Sequence, residues 1–375
     1  MNVSRDIMSD ITAVMHTHQR RNYLLQYTVK PTTAKRYNAA LLEFVAWCDL
    51  CGEKPTTVHD FDEMLMDYLH EIYEQYEGKG KSKANCTLFG ILNRMPYLKG
   101  QLHSSFQVMR AWSKLSVGKS YPPITWELAV MVAVQMTRAG LVRYGIGVLV
   151  GFDCLLRVSE LCGLLITDFA DDGDERVSVE HQGSLLRLRT TKTGDNKFVS
   201  VNEPCVIQLI RWLLSLHNQS THAKPNNKRL VQSMKGRNNR STSTTKHVIM
   251  SRTTSKAVEV KMDQHKLFPF TTQQFRNVFK STCASLGLSS EYVPHSLRHG
   301  GATRYHHVKG WSIEDVLERG RWASVKSARR YIQSGVAKLM SMNAPKHISK
   351  IASQLASDPY HNIVSRAITT LSQKH

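Results

Sequence analysis

The sequence predicts an α+β protein, mainly helical with a small β-sheet: a helical N-terminal domain followed by a mixed α/β domain. Three observations lead there. The chain has 375 residues, about twice the usual domain size, so two cores are expected. Apolar residues in the first 115 positions recur at three- and four-residue intervals, the spacing of amphipathic helices. In the second part, β-rich segments stand between helical stretches, which makes a small sheet part of that domain.

The elements follow in order. Thr32 and Thr33, after Pro31, are placed to cap a helix carrying Tyr37, Leu41, Phe44, Val45 and Cys48 and ending near Gly52. A second helix runs from about Asp60 through Met64, Leu65, Tyr68 and Ile72 to Gly78, and two shorter ones cover roughly 84–94 and 105–115. This region, 1–115, has basic edges at Lys30, Lys35, Arg36, Lys79, Lys81 and Lys83, which are candidate contacts for a polyanion. SVGKSYPPI, 116–124, reads as a linker because Pro122-Pro123 stops any helix. The second domain, 125–375, opens with apolar helices at about 125–139 and 141–156. RVSVEH (176–181), LLRLRTT (185–191) and KFVSV (197–201) are three strands, and a helix from Glu203 to His217 follows. Residues 218–262 are rich in Ser, Thr, Asn, Lys and Arg and read as a basic surface insertion. Helices resume at 271–286, 296–308, 312–319 and 324–334. The tail, 345–375, carries an apolar stripe of Ile363, Val364, Ala367, Ile368 and Leu371.

Composition narrows the function. Fifty Lys and Arg against thirty Asp and Glu give a net charge of +20, which points to a polyanionic partner, most commonly nucleic acid. With 41% apolar residues the chain is too hydrophobic for a disordered protein. There is no apolar leader at the start and no run long enough to span a membrane, so an intracellular location is expected, in the nucleus or with a nucleoid. The seven cysteines then read as reduced thiols. Cys48 and Cys51 have zinc-type spacing, but nothing nearby completes four ligands, so packing is the expected role.

Taken singly, no residue compels a function. Arg157 in LLRVSEL has Glu160 one helical turn on and reads as an ion pair; Lys192 in TTKTGDNK is a turn lysine. His295 and Arg298, in PHSLRHGGATRY, are three apart and face the same way. Trp322 and Tyr331, in GRWASVKSARRYI, read as partly buried aromatics. Their order is more informative. R-x-x-E, then T-K-T on a hairpin, H-x-x-R, G-R-W, and a Tyr nine residues after the Trp resembles the tyrosine recombinase (phage integrase) family over about residues 124–335. The variant is Cre-like, with Trp322 where many members carry a second histidine.

The resemblance implies a two-domain enzyme that breaks and rejoins duplex DNA through a 3′-phosphotyrosine at Tyr331. Arg157 and Arg298 would grip the non-bridging phosphate oxygens, since guanidiniums stay charged and donate in a fixed fork. Lys192, with Lys197 as an alternative, would protonate the leaving 5′-hydroxyl. His295 would bind the phosphate or accept the tyrosine proton. Trp322 would donate its indole N–H, and Glu160 would orient Arg157, with His299 in support. A phenol is a good leaving group, so religation needs no ATP. No metal or other cofactor is expected, because no carboxylate cluster suited to Mg²⁺ lies near these motifs. Family members act as tetramers on two DNA sites, which makes the Ile363–Leu371 stripe a candidate for docking onto a neighbouring subunit. Two alternatives remain at this level: a type IB topoisomerase, and a catalytically silent DNA-binding protein descended from a recombinase.

Overall fold

Pro31 opens helix α1 (Pro31–Cys51) at its first position, where the missing proline N–H removes nothing. The N-cap is Lys30, in extended backbone, and no side chain caps the helix. This corrects the expectation for Thr32 and Thr33, which already lie inside the first turn. Gly52 ends the helix as predicted, in the left-handed conformation with φ 71°. The computed structural model describes residues 27–52, 54–116, 121–172, 174, 183–191, 194–222 and 266–372. The chain divides into two units, 1–119 and 120–375.

In the first unit, α2 (Val58–Gln75) starts at a capping box: Asp60 N–H donates to Thr57 Oγ1 (3.1 Å) and Thr57 N–H donates to Asp60 Oδ2 (3.0 Å). Helices α3 (Lys81–Arg94) and α4 (His103–Leu115) follow. Phe44, Phe61, Leu65, Leu69, Ile91 and Trp112 form the core. The buried carboxylate of Asp62 accepts from the backbone N–H groups of Ser104 (2.7 Å) and Ser105 (3.0 Å), satisfying the start of α4, which has no cap of its own. Cys48 is buried in this core while Cys51 is exposed. Burial pushes the Cys48 thiol up to about 12, the reverse of what a metal-bound thiolate needs. Lys30, Lys35, Arg36 and Lys79 are exposed, and Lys81 and Lys83 half-buried. Arg36 donates to Ser82 Oγ (2.7 Å), so α1 and the start of α3 share a basic edge. Lys83 pairs there with Glu43 (2.5 Å), and Lys79 pairs with Glu77 (2.9 Å).

The second unit is built around an apolar helix pair, α5 (Trp126–Arg138) and α6 (Val142–Asp153), nearly every residue of which is buried. Short helix α7 (Val158–Leu161) leads to strand β1 (Phe169–Ala170). β1 pairs antiparallel with β2 (Leu185–Thr191), and β2 with β3 (Gly194–Ser200). Leu186 and Val199 face each other in register and turn inward onto the helices. The predicted strand 176–181 lies outside the described residues. β3 begins three residues earlier than expected because Thr191 pairs directly with Gly194. Helix α8 (Pro204–His222) runs into the segment read as an insertion; positions 223–262 of that segment lie outside the described residues.

Helices α9 (Thr272–Ser285), α10 (His295–His307) and α11 (Ile313–Gly320) carry the middle of the unit. A Cβ on Gly300 would strike the Ile124 carbonyl, and one on Gly301 the Phe152 carbonyl, so the glycine pair lets α10 lie directly on α6. The predicted helix 324–334 is broken. Residues Val325–Arg329 form α12, then the chain turns through Arg330 and Tyr331 before α13 (Ser334–Met342). Thr303 on α10 causes the break: its hydroxyl donates to the Tyr331 carbonyl (3.2 Å) and accepts from Gln333 N–H (3.1 Å). Helices α14 (Lys346–Leu355) and α15 (Pro359–Ser372) both pack on α5, and α15 also on α8. Ile363 and Ala367 are fully buried there. The chain's own helices thus cover part of the α15 stripe, while Ile368 on it is exposed. Among the described residues no helix is long and apolar enough to cross a membrane.

Candidate active site

The C-terminus of α6 is locked by a buried ion pair. Asp153 is fully buried and accepts from Arg319 Nη2 (3.2 Å), from Tyr305 hydroxyl and from Asn202 N–H (3.0 Å). Arg319 also donates to the Asp153 carbonyl through Nε (3.0 Å) and Nη2 (2.7 Å). The next residues, 154–157, are therefore held from behind. Leu155 takes a left-handed φ of 48°, a costly conformation for a residue with a Cβ. Its carbonyl accepts from both Arg298 Nη1 and Arg321 Nη2, the latter at 2.9 Å.

Arg157 follows as N-cap of α7. Its Nη1 donates to Glu160 Oε1 (2.6 Å) and its backbone N–H to Glu160 Oε2 (2.9 Å). Arg157 keeps a fifth of its side chain exposed while Glu160 is 2% exposed, so the guanidinium points outward from a fixed base. Arg298, on α10, is fully buried; Nη1 reaches the Leu155 carbonyl and Nη2 the Gly320 carbonyl. The Trp322 ring lies over it at 4.5 Å and the Tyr331 ring at 5.5 Å. A Cβ on Gly320 would collide with the Trp322 indole, which explains the glycine of G-R-W.

Tyr331 sits in the turn between α12 and α13, with its ring 4.4 Å from His299 and 4.6 Å from Trp322. Its hydroxyl is 3.2 Å from His295 Nε2. Burial, then the charges of Arg298 and Arg157, lowers the His295 imidazole to about 4. His295 is therefore neutral at pH 7, and with its proton on Nδ1 it presents Nε2 as an acceptor to the phenol. Burial followed by His295 and Arg298 likewise lowers His299 to about 3.

Arg157, Glu160, His295, Arg298, His299, Trp322 and Tyr331 are thus brought into one cluster. Lys192 lies outside the described residues. Lys197 is exposed on β3, opposite Leu188. Arg321 also belongs to the cluster and was missed. Its signal is only a third arginine inside the G-R-W motif, and a basic residue there reads as solvated surface. Four nitrogens of the cluster, Arg298 Nε, His299 Nδ1, Arg321 Nε and Trp322 Nε1, are buried with no hydrogen-bond partner. Orphaned buried groups are rare in native proteins, and four of them cluster here. Among the described residues no group of three or more His, Cys, Asp or Glu is placed to hold a metal ion.

The two histidines predict a pH dependence. Both are lowered in the folded chain relative to the ordinary value of 6.5, so between about 6.5 and 4 the unfolded chain binds more protons. Stability should be fully present above pH 6.5 and fall as the pH drops towards 4. Urea unfolding midpoints measured from pH 7.5 to 4.5 should decline, and His295→Gln combined with His299→Gln should flatten that decline. An unchanged slope in the double variant would show that other groups drive it.

One solved structure shares this architecture. The chain is similar to the Tn1549 transposon integrase in complex with transposon right end DNA, with a TM-score of 0.50 at 12% identity over 89% of this chain and 98% of that one. A lambda integrase dimer bound to a COC′ core site gives 0.48 at 12% identity over 87% and 77%. The XerA recombinase gives 0.35 at 16% identity over 91% and 98%. No curated protein matches the sequence. The fold is that of the integrases. The Phage integrase family profile matches residues 135–337, more than half of the sequence, and the chain belongs to that family.

Proposed function

We propose that the protein is a site-specific DNA recombinase that cleaves and rejoins duplex DNA through a phosphotyrosine at Tyr331. The observation that carries this reading is the Tyr331 hydroxyl, 3.2 Å from a neutral His295 with its ring above the Arg298 guanidinium. The phenol oxygen attacks the scissile phosphorus and its proton passes to His295 Nε2. A Tyr–O–P bond forms, the P–O5′ bond breaks, and the 5′-oxygen leaves as a hydroxyl with a proton from Lys192. The pentavalent transition state gains negative charge on its non-bridging oxygens. Arg157, Arg298 and the indole N–H of Trp322 are the donors for that charge.

The helical first unit, with its basic edge at Lys30, Lys35, Arg36, Lys79, Lys81 and Lys83, is the second half of a clamp on duplex DNA. Phosphate contacts there make binding strongly salt-dependent. Recombination of two sites requires four copies of the chain. The exposed apolar residues of α13, Val336, Leu339 and Met342, support a subunit contact immediately after the nucleophile. A mobile-element integrase is the setting in which such an enzyme joins two DNA molecules.

The test uses a pool of nicked, random-core duplexes without divalent metal, denatured in SDS. The nick lets the short 5′-hydroxyl fragment leave and traps the covalent species. A protease-sensitive protein–DNA adduct is expected, and sequencing the trapped DNA gives the site. Tight, salt-sensitive binding with no adduct on any sequence would favour the silent DNA-binding reading.

A further inference from the structure

Arg321 stands where the backbone disfavours it. It follows the last residue of α11 with φ 56° and ψ 42°, the left-handed region that glycine occupies without strain. A residue with a Cβ is strained there. It is almost completely buried, 7% exposed, so it is not a surface charge. Its guanidinium ties three stretches of chain together. Nη2 donates to Glu160 Oε2 (2.9 Å) and to the Leu155 carbonyl (2.9 Å), and Nη1 to the Arg319 carbonyl (2.9 Å).

The partner carboxylate is shared. Glu160 holds Arg157 with Oε1 and, with Oε2, takes both the Arg157 backbone N–H and Arg321. An isolated Arg157–Glu160 pair neutralises itself and presents little field to a phosphate. With Arg321 on Oε2, the three guanidiniums of Arg157, Arg298 and Arg321 against the single Glu160 carboxylate leave a net charge of +2. A phosphodiester carries one negative charge and gains a second in the transition state, so this surplus matches the charge that develops. Burial on its own pushes the Glu160 carboxyl up; the Arg321 charge leads the effects that outweigh it, and the group ends below its ordinary value.

We propose that Arg321 is a positioning residue for strand cleavage: it holds Glu160 through Oε2 while Oε1 takes the Arg157 guanidinium, fixes that guanidinium, and restores the positive charge that Glu160 cancels. This rests on the phosphotyrosine reading of the same cluster. Arg321 touches no reacting atom itself; it acts through Glu160 and the Leu155 carbonyl.

A charge-restoring role makes a prediction that a purely structural one does not. Arg321→Gly, which also relaxes the left-handed backbone, lowers the net charge to +1. It should slow single-turnover adduct formation roughly 10–100-fold, the scale of a misplaced catalytic group. Adding Glu160→Gln to it brings the charge back to +2 and should recover at least about tenfold of the loss, a reversal visible in a double-mutant cycle. A residue that merely braces the turn would make the double variant as slow as Arg321→Gly or slower. Arg321→Gln carries the same comparison if the glycine variant does not fold, as judged by its urea midpoint. The two readings fail differently. Absence of an adduct with the unaltered protein defeats the phosphotyrosine chemistry. A normal adduct rate in Arg321→Gly, or a double variant with no recovery, defeats the role given to Arg321 while leaving that chemistry intact.

Discussion

Tyr331→Phe abolishes the covalent protein–DNA adduct while leaving DNA binding and the fold in place. The substitution removes one oxygen. The remaining ring keeps its contacts with His299 and Trp322 and its place over Arg298. The hydroxyl's side-chain partner is His295, at 3.2 Å, so the stability change should stay within about 1 kcal/mol. Chemistry, by contrast, loses its nucleophile, and adduct formation should fall by on the order of 10⁴-fold or more. Among the described residues the other phenol beside His295 is Tyr121, exposed and with its ring 5.8 Å from the imidazole, so Tyr121→Phe is the control and should leave the adduct in place. Tyr292 and Tyr305 belong to the same unit but are buried, and burial raises both phenols. Tyr305 is in addition tied to Asp153. The checks are adduct yield in SDS gels, DNA affinity by fluorescence anisotropy and the urea midpoint. An adduct surviving in Tyr331→Phe would show that another residue attacks the phosphate.

Much of this site was legible in the sequence, for a physical reason. The order of the motifs resembles a known family, and the proposed phosphoryl transfer through a phenol would call for these residue types. The three-residue separation of His295 and Arg298 sets both side chains in the cluster from the first turn of α10. Glu160 holds Arg157 as its position one turn on suggested. What was not legible depends on contacts distant in sequence. Periodicity carries a helix through 324–334, but Thr303 hydrogen-bonds the Tyr331 carbonyl and the Gln333 N–H and pulls that segment into a turn. The apolar stripe of α15 announces burial without saying against what; α5 and α8 answer it. Arg321 stayed hidden because a left-handed φ is a property of the turn after α11 and of the partners waiting there.

These unforeseen contacts share a logic. The Asp153–Arg319–Tyr305 network, the left-handed Leu155 and the Thr303 hydrogen bonds touch no substrate in the proposed chemistry. They fix the backbone on which Arg157, Arg298 and Tyr331 stand. Holding groups in place before the substrate arrives is what makes charge stabilisation effective in the transition state, because little is reorganised as the reaction proceeds. The unpaired buried nitrogens and the left-handed Leu155 and Arg321 are the cost of that arrangement.

Arg298 is the clearest case, because its two functions separate under substitution. Its side chain is fully buried, with Nη1 and Nη2 on the Leu155 and Gly320 carbonyls and the Trp322 indole stacked over it. Arg298→Ala removes the donor from the Gly320 carbonyl, leaves the Leu155 carbonyl with Arg321 alone, and opens a cavity beneath Trp322. A loss of about 3–5 kcal/mol is expected, together with a fall of at least 10²–10³-fold in adduct formation. Because the first effect could masquerade as the second, Arg298→Lys is the sharper variant. An ammonium keeps the charge but has no planar fork, so it cannot span both carbonyls and still face a phosphate. Urea unfolding should then show a smaller stability loss than for alanine, while single-turnover adduct formation at a pH where the lysine is charged stays down by roughly 10²-fold. If Arg298→Lys cleaves at the rate of the unaltered protein, charge alone suffices and the geometric role given to the buried guanidinium is wrong. If it cleaves slowly while folded and DNA-bound, the fork that grips Leu155 and Gly320 is also the fork that the transition state requires.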